Sequence, residues 1–120
     1  MASSRFIRYW LPVILWAALI FALSSIPSLS SGLGVWDLIL RKLAHMAEYA
    51  ILAILFWRAL QRPWLAFACT VAYAASDEFH QHFVRGRVGS PIDVGIDGVG
   101  ALIGLAVFLY WRRARLRDDA

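Results

Sequence analysis

Charge, cysteine and linker sequence are all scarce in this chain. Only 17% of its 120 residues are charged, against about a quarter in an ordinary soluble domain, so a broad hydrated surface is excluded. The single cysteine, Cys69, rules out an internal disulfide and says nothing about redox compartment. It lies among Ala and Val and reads as a small packed residue rather than a reactive thiol. There is no internal repeat, no low-complexity segment and no domain boundary, so residues 1–120 form one domain.

What is present instead is apolar. Hydrophobic residues make up 61% of the chain, six of them Trp, and the mean hydropathy is +0.63. This is the profile of a small integral membrane protein. A membrane-spanning helix needs about 20 mostly apolar residues. Four windows qualify, at about 7–25, 41–60, 64–83 and 91–111. The first has the basic residues, apolar run and small residues (Ala22, Ser24) of a signal peptide, but its run is long for one, and a retained span is expected. Pro27 and Gly32 break the first connection, which is expected to carry a short interfacial turn around Trp36–Leu40. The other connections, "QRP" and "VRGRVGSP", are short. The expectation is an all-α integral membrane protein, an antiparallel four-helix bundle. The Trp residues read as interfacial belts and lipid contacts.

Basic residues give the orientation. With both termini inside, the cytoplasmic side takes Arg5, Arg8, Arg58, Arg62, Arg112, Arg113, Arg115 and Arg117 of the twelve Lys and Arg residues. That bias predicts N-in and C-in, with these arginines as anchors against anionic lipid headgroups. Charges that flank apolar segments give no support to nucleic-acid binding. Arg41, Lys42, Arg85 and Arg87 fall on the outer side, against the trend, which points to another purpose for them.

On this topology the ionisable residues converge. Of the eight acids, Glu48, Asp77, Glu78, Asp93 and Asp97 all fall in the outer half of spans two, three and four, with all three His. Lys42, His45 and Tyr49 share one helical face, with Glu48 at its edge. Asp77, His80 and Gln81 share another, flanked by Glu78, while His82 points further round and reads as an interface residue. Asp93 and Asp97 are one turn apart and continue into Gly100 and Gly104, whose spacing lets a neighbouring helix approach closely. An ionised side chain at mid-bilayer costs about 2.5–3.5 kcal/mol on insertion scales and normally faces the bundle interior. A hydrated polar pocket opening to the outer leaflet is therefore expected, with Arg85 and Arg87 at its lip.

The strings "KLAHMAEYAILA" (42–53), "YAASDEFHQHFVRGRVGSPIDVGIDGVGALIG" (73–104) and "FALSSIP" resemble the VanZ-like family over nearly the whole chain. The joint pattern is His45–Glu48–Tyr49, Asp77–Glu78–His80–Gln81, Arg87 and Asp93. The resemblance implies a multi-pass bacterial membrane protein related to a teicoplanin-resistance protein. The family pattern usually has Asn where this chain has Asp97, which adds a carboxyl group here. Some relatives carry a phosphotransbutyrylase label, yet nothing in these residues forms an acyl-phosphate or coenzyme A site.

Three kinds of chemistry fit the polar layer. In the first, Lys42, Arg85 and Arg87 clamp the phosphate of an outer-leaflet lipid, a polyprenyl-phosphate or a phospholipid. His45 or His80 then serves as base or nucleophile, Asp93 orients it, and Glu48 or Glu78 acts as acid. Asp77 completes the catalytic set, and Tyr49, Gln81 and Asp97 hold the headgroup. A variant adds a divalent cation such as zinc on His45, Glu48, Asp77 and His80. In the second, the pocket binds or moves a lipid, drug or proton without breaking bonds. Four short helices make a small translocator, so that version requires a homo-oligomer. In the third, the charges only pair with one another and lock three helices together.

Overall fold

Four helices follow one another in the computed structural model, which describes residues 2–24, 35–81 and 91–119. They are α1 (Ala2–Ser24), α2 (Val35–Leu60), α3 (Pro63–Gln81) and α4 (Pro91–Asp119). No strand occurs among the described residues. Both α3 and α4 open on proline, whose fixed φ and missing N–H suit the first helical position. Pro12 sits inside α1, where it removes one backbone hydrogen bond, a loss that membrane-spanning helices tolerate.

Three boundaries move outward from the expectation, the first being the start of α1, at Ala2 and not near residue 7. Trp36–Leu40 is not a separate interfacial turn but the first part of α2, which begins at Val35. No Gly or Pro interrupts the stretch after Gly34, so the helix continues through it. At the other end α4 runs past residue 111 to Asp119, carried by Arg, Ala and Leu, all strong helix formers.

Three of the helices are long and apolar enough to cross a membrane: Phe6–Leu23, Ile39–Leu60 and Val94–Arg117. The third sequence window, now α3, does not reach that standard. Its 19 residues include Asp77, Glu78 and His80 near the end, which lower the hydropathy of the window.

Each helix turns one stripe inward. On α1 it is Val13, Trp16, Ala17 and Ile20, with Leu11, Ile14, Leu15 and Leu19 exposed on the other faces. On α2 it is Tyr49, Leu52, Ala53 and Trp57, on α3 Ala66, Thr70 and Ala74, and on α4 Ala101 and Leu105. The spacing of three, four and seven keeps each set on one face. Thr70 satisfies its buried hydroxyl by donating to the Ala66 carbonyl at 2.8 Å.

Helix α2 is the hub, packed against each of the other three. Its contacts with α1 run in opposite chain directions, Trp10 meeting Phe56 at 6.4 Å edge-on and Trp16 meeting Glu48. Its contacts with α4 rise together, Gly100 lying on Met46 and Gly104 on Ala50, then Phe108 on Trp57 at 5.8 Å. The α2–α3 connection turns at Gln61, whose φ of 61° is left-handed. Its backbone N–H donates to the Trp57 carbonyl at 2.7 Å and its side-chain amide to the Arg58 carbonyl at 2.9 Å. The end of α2 is thus capped without a glycine.

The tryptophans divide into two groups. Trp36, Trp64 and Trp111 are exposed, as belts should be, but Trp57 is buried. Trp16 is half-buried and its indole N–H donates to the Glu48 carbonyl at 2.9 Å, tying α1 to α2. Trp16→Phe is expected to cost about 0.5–1.5 kcal/mol, read as a lower thermal midpoint in detergent. An unchanged midpoint would mean that this bond does not anchor α1.

Candidate functional site

The polar residues extend the inward stripes. On α3, Asp77 follows Ala66, Thr70 and Ala74 at offsets of eleven, seven and three, so the phase that buries the apolar residues buries the acid too. On α4, Asp97 precedes Ala101, Gly104 and Leu105 in the same way. The result, among the described residues, is three buried carboxyl groups: Asp77, Glu78 and Asp97 are 3%, 6% and 5% exposed. A buried carboxyl group needs partners, because its desolvation is otherwise uncompensated.

Tyr49 supplies one of them. Its hydroxyl donates to Asp77 Oδ2 at 2.9 Å, a fully buried bond joining α2 to α3. Asp97 of α4 also lies close enough to act electrostatically on the same phenol. Helices α3 and α4 therefore both approach Tyr49 of α2. Around it the rings continue. His45 stacks toward Tyr49 with centroids 6.4 Å apart, and Tyr73 lies 6.2 Å away on the other side. His45 Nδ1 stands 3.7 Å from Glu48 Oε2, and both side chains are partly exposed. Lys42, one turn before His45, is half-buried.

His80 turns elsewhere. Its ring stacks on Phe21 of α1 with centroids 4.2 Å apart, so it faces α1 while Asp77 faces α2. Among the described residues, no three His, Cys, Asp or Glu side chains come close enough together to hold a metal ion. His45, Glu48, Asp77 and His80 are thus not gathered as one ligand set. Arg85 and Arg87 lie outside the described residues. So does His82, and so do the side chains of Gln81 and Asp93, whose backbones belong to the last turn of α3 and the first turn of α4.

Sequence reasoning passed over three residues here. Tyr73, four residues before Asp77, donates its hydroxyl to the Ala17 carbonyl of α1. Phe21 covers His80, and Trp16 bonds the backbone of Glu48. The offset of Tyr73 from Asp77 was a usable signal. For Phe21 and Trp16 there was none, since α1 carries no polar pattern that assigns it to the site.

Neither a curated protein nor a solved structure matches the chain. The VanZ/LLP1 family model matches residues 6–112, which include α2 and α3 whole, most of α1 and α4, and every polar residue placed in the site. With its long apolar helices and that match over most of its length, the chain is a membrane protein that belongs to the VanZ/LLP1 family.

Proposed function

We propose that this protein binds the phosphate-bearing headgroup of a cell-envelope lipid at the extracytoplasmic end of its bundle and acts on it as a hydrolase or transferase. The observation that carries this reading is the burial of Asp77, Glu78 and Asp97, with Asp77 held by the Tyr49 hydroxyl. Carboxyl groups kept inside an apolar bundle are costly. Apolar packing would hold the helices as well, so their retention favours a chemical role. Lys42, Arg85 and Arg87 are the cations available for the phosphate, a polyprenyl-phosphate or a phospholipid. His45, paired with Glu48, and His80, stacked on Phe21, are the candidate bases or nucleophiles. Asp93 orients the base, Asp77 is held by Tyr49, and Gln81 and Asp97 complete the headgroup contacts.

The N-in, C-in orientation is part of this proposal. Its support is the gathering of arginines at the opposite end, where Arg58 lies over the Tyr9 ring and Arg112 over Trp57. A link to glycopeptide resistance follows from the family and from the meeting of such drugs with lipid-linked precursors at that surface. One observation favours a second reading. The Tyr49–Asp77 bond also serves as a lock between α2 and α3, so the layer can act as a structural network.

The purified protein should be presented with polyprenyl-phosphates and phospholipids, with turnover and thermal midpoint measured for each. At least one phosphate-bearing lipid is expected to be turned over or to raise the midpoint. His80→Ala and Asp93→Asn should abolish turnover in a folded protein, by about 100-fold or more. Full activity in both variants would overturn their assigned roles.

A further inference from the structure

The end of the bundle opposite the acids carries a different pattern. Here arginines lie on aromatic rings: Arg8 and Arg58 each stand 5.7 Å from the Tyr9 centroid. Arg112 stands 4.9 Å from Trp57 and Arg115 5.3 Å from Trp111. Of these four, Arg112 alone lines the groove described next, and a guanidinium over a ring still has N–H donors to offer a phosphate.

On one side of α4 this basic end is continuous with an open groove of about 730 Å³, whose lining includes Leu109, Tyr110, Arg112, Arg113, Leu116 and Arg117. The order along the helix is apolar first and basic after. Tyr110 is 77% exposed and Leu116 55%, so no other described part of the protein covers them. Arg112, Arg113 and Arg117 are all exposed beside them. An apolar groove that ends in exposed guanidinium groups, on a helix long enough to cross a membrane, has the chemistry of one ligand class. That class joins a hydrocarbon chain to an anionic phosphodiester.

We infer that this face of α4 is a binding site for a single anionic phospholipid, seated with its acyl chain along Leu109 and Tyr110 and its phosphate on Arg112, Arg113 and Arg117. It is separate from the acidic layer and independent of what that layer does. It also differs from general attraction to a negative leaflet, which counts charges without regard to their position. A seated lipid depends on which arginines remain.

The test takes the full chain from nanodiscs containing equal parts phosphatidylglycerol and phosphatidylcholine into native mass spectrometry. The wild type is expected to retain one phosphatidylglycerol in preference to phosphatidylcholine. Arg113→Gln with Arg117→Gln should reduce that retention about tenfold or more. Arg62→Gln with Arg115→Gln removes the same charge from exposed positions outside the groove and should leave retention unchanged. Equal loss in the two double variants would overturn the proposal, as would equal retention of the two lipids by the wild type.

Discussion

Gly100→Ala is expected to separate α2 from α4 and lower stability by about 1–3 kcal/mol, the usual cost of forcing extra volume into a packed contact. A Cβ at position 100 would stand 2.7 Å from Met46 Cβ, 2.8 Å from its Cα and 2.9 Å from its carbonyl oxygen. Two of these are backbone atoms, so trimming the Met46 side chain cannot make room. Gly104→Ala meets a different obstacle, because the added Cβ overlaps the Ala50 side chain itself. Ala50→Gly should therefore recover part of the loss in the Gly104→Ala background, reduced by the helix cost of glycine, about 1 kcal/mol. Met46→Ala should recover little in the Gly100→Ala background. Thermal midpoints of the four variants in one detergent check this. Equal rescue at both positions would mean that the helices do not approach backbone to backbone at Gly100.

The second large effect concerns the buried bond. Tyr49→Phe leaves Asp77 Oδ2 without its phenolic donor in a fully buried position, at an expected cost of about 1.5–3 kcal/mol. Asp77→Leu alone strands the Tyr49 hydroxyl in the same way. Tyr49→Phe with Asp77→Leu removes both polar partners and should regain most of the stability lost by either single change. The double-mutant cycle measures the coupling, and strictly additive losses would contradict a direct interaction. The cycle also separates the two readings of the layer. If the layer only locks helices, the apolar pair is a full replacement. If it handles a lipid headgroup, the apolar pair is stable and inactive.

The helices were plain from the sequence because apolar windows interrupted by Pro and Gly leave few alternatives. Their ends were less so. Arg41 and Lys42 looked like a membrane boundary and hid the continuation of α2 back to Val35, since charge marks where a membrane stops and not where a helix does. The acids near the end of α3 lower the hydropathy of its window, which is why it alone of the four falls short of a clear span. At the site, helical phase was sufficient to bring Tyr49, Asp77 and Asp97 together, because each continues a stripe of small or apolar residues. Phase could not assign partners across helices. Asp77 and His80 share a face by spacing, yet one side chain meets Tyr49 of α2 and the other meets Phe21 of α1. The role of α1 was invisible for the same reason: Phe21 and Trp16 look like any lipid-facing aromatic until the neighbouring helix is known.

The central claim is that the buried acids of α3 and α4 serve a ligand and not the fold alone. The most direct test is the lipid-induced shift of thermal midpoint in the Arg113→Gln/Arg117→Gln background, which silences the α4 lipid site, measured side by side with and without Tyr49→Phe/Asp77→Leu. A phosphate-bearing lipid should stabilise the protein with an intact acidic layer and leave the folded Tyr49→Phe/Asp77→Leu form unmoved. An equal shift in the two proteins would contradict the claim, and so would the absence of any shift with the intact layer across the whole panel.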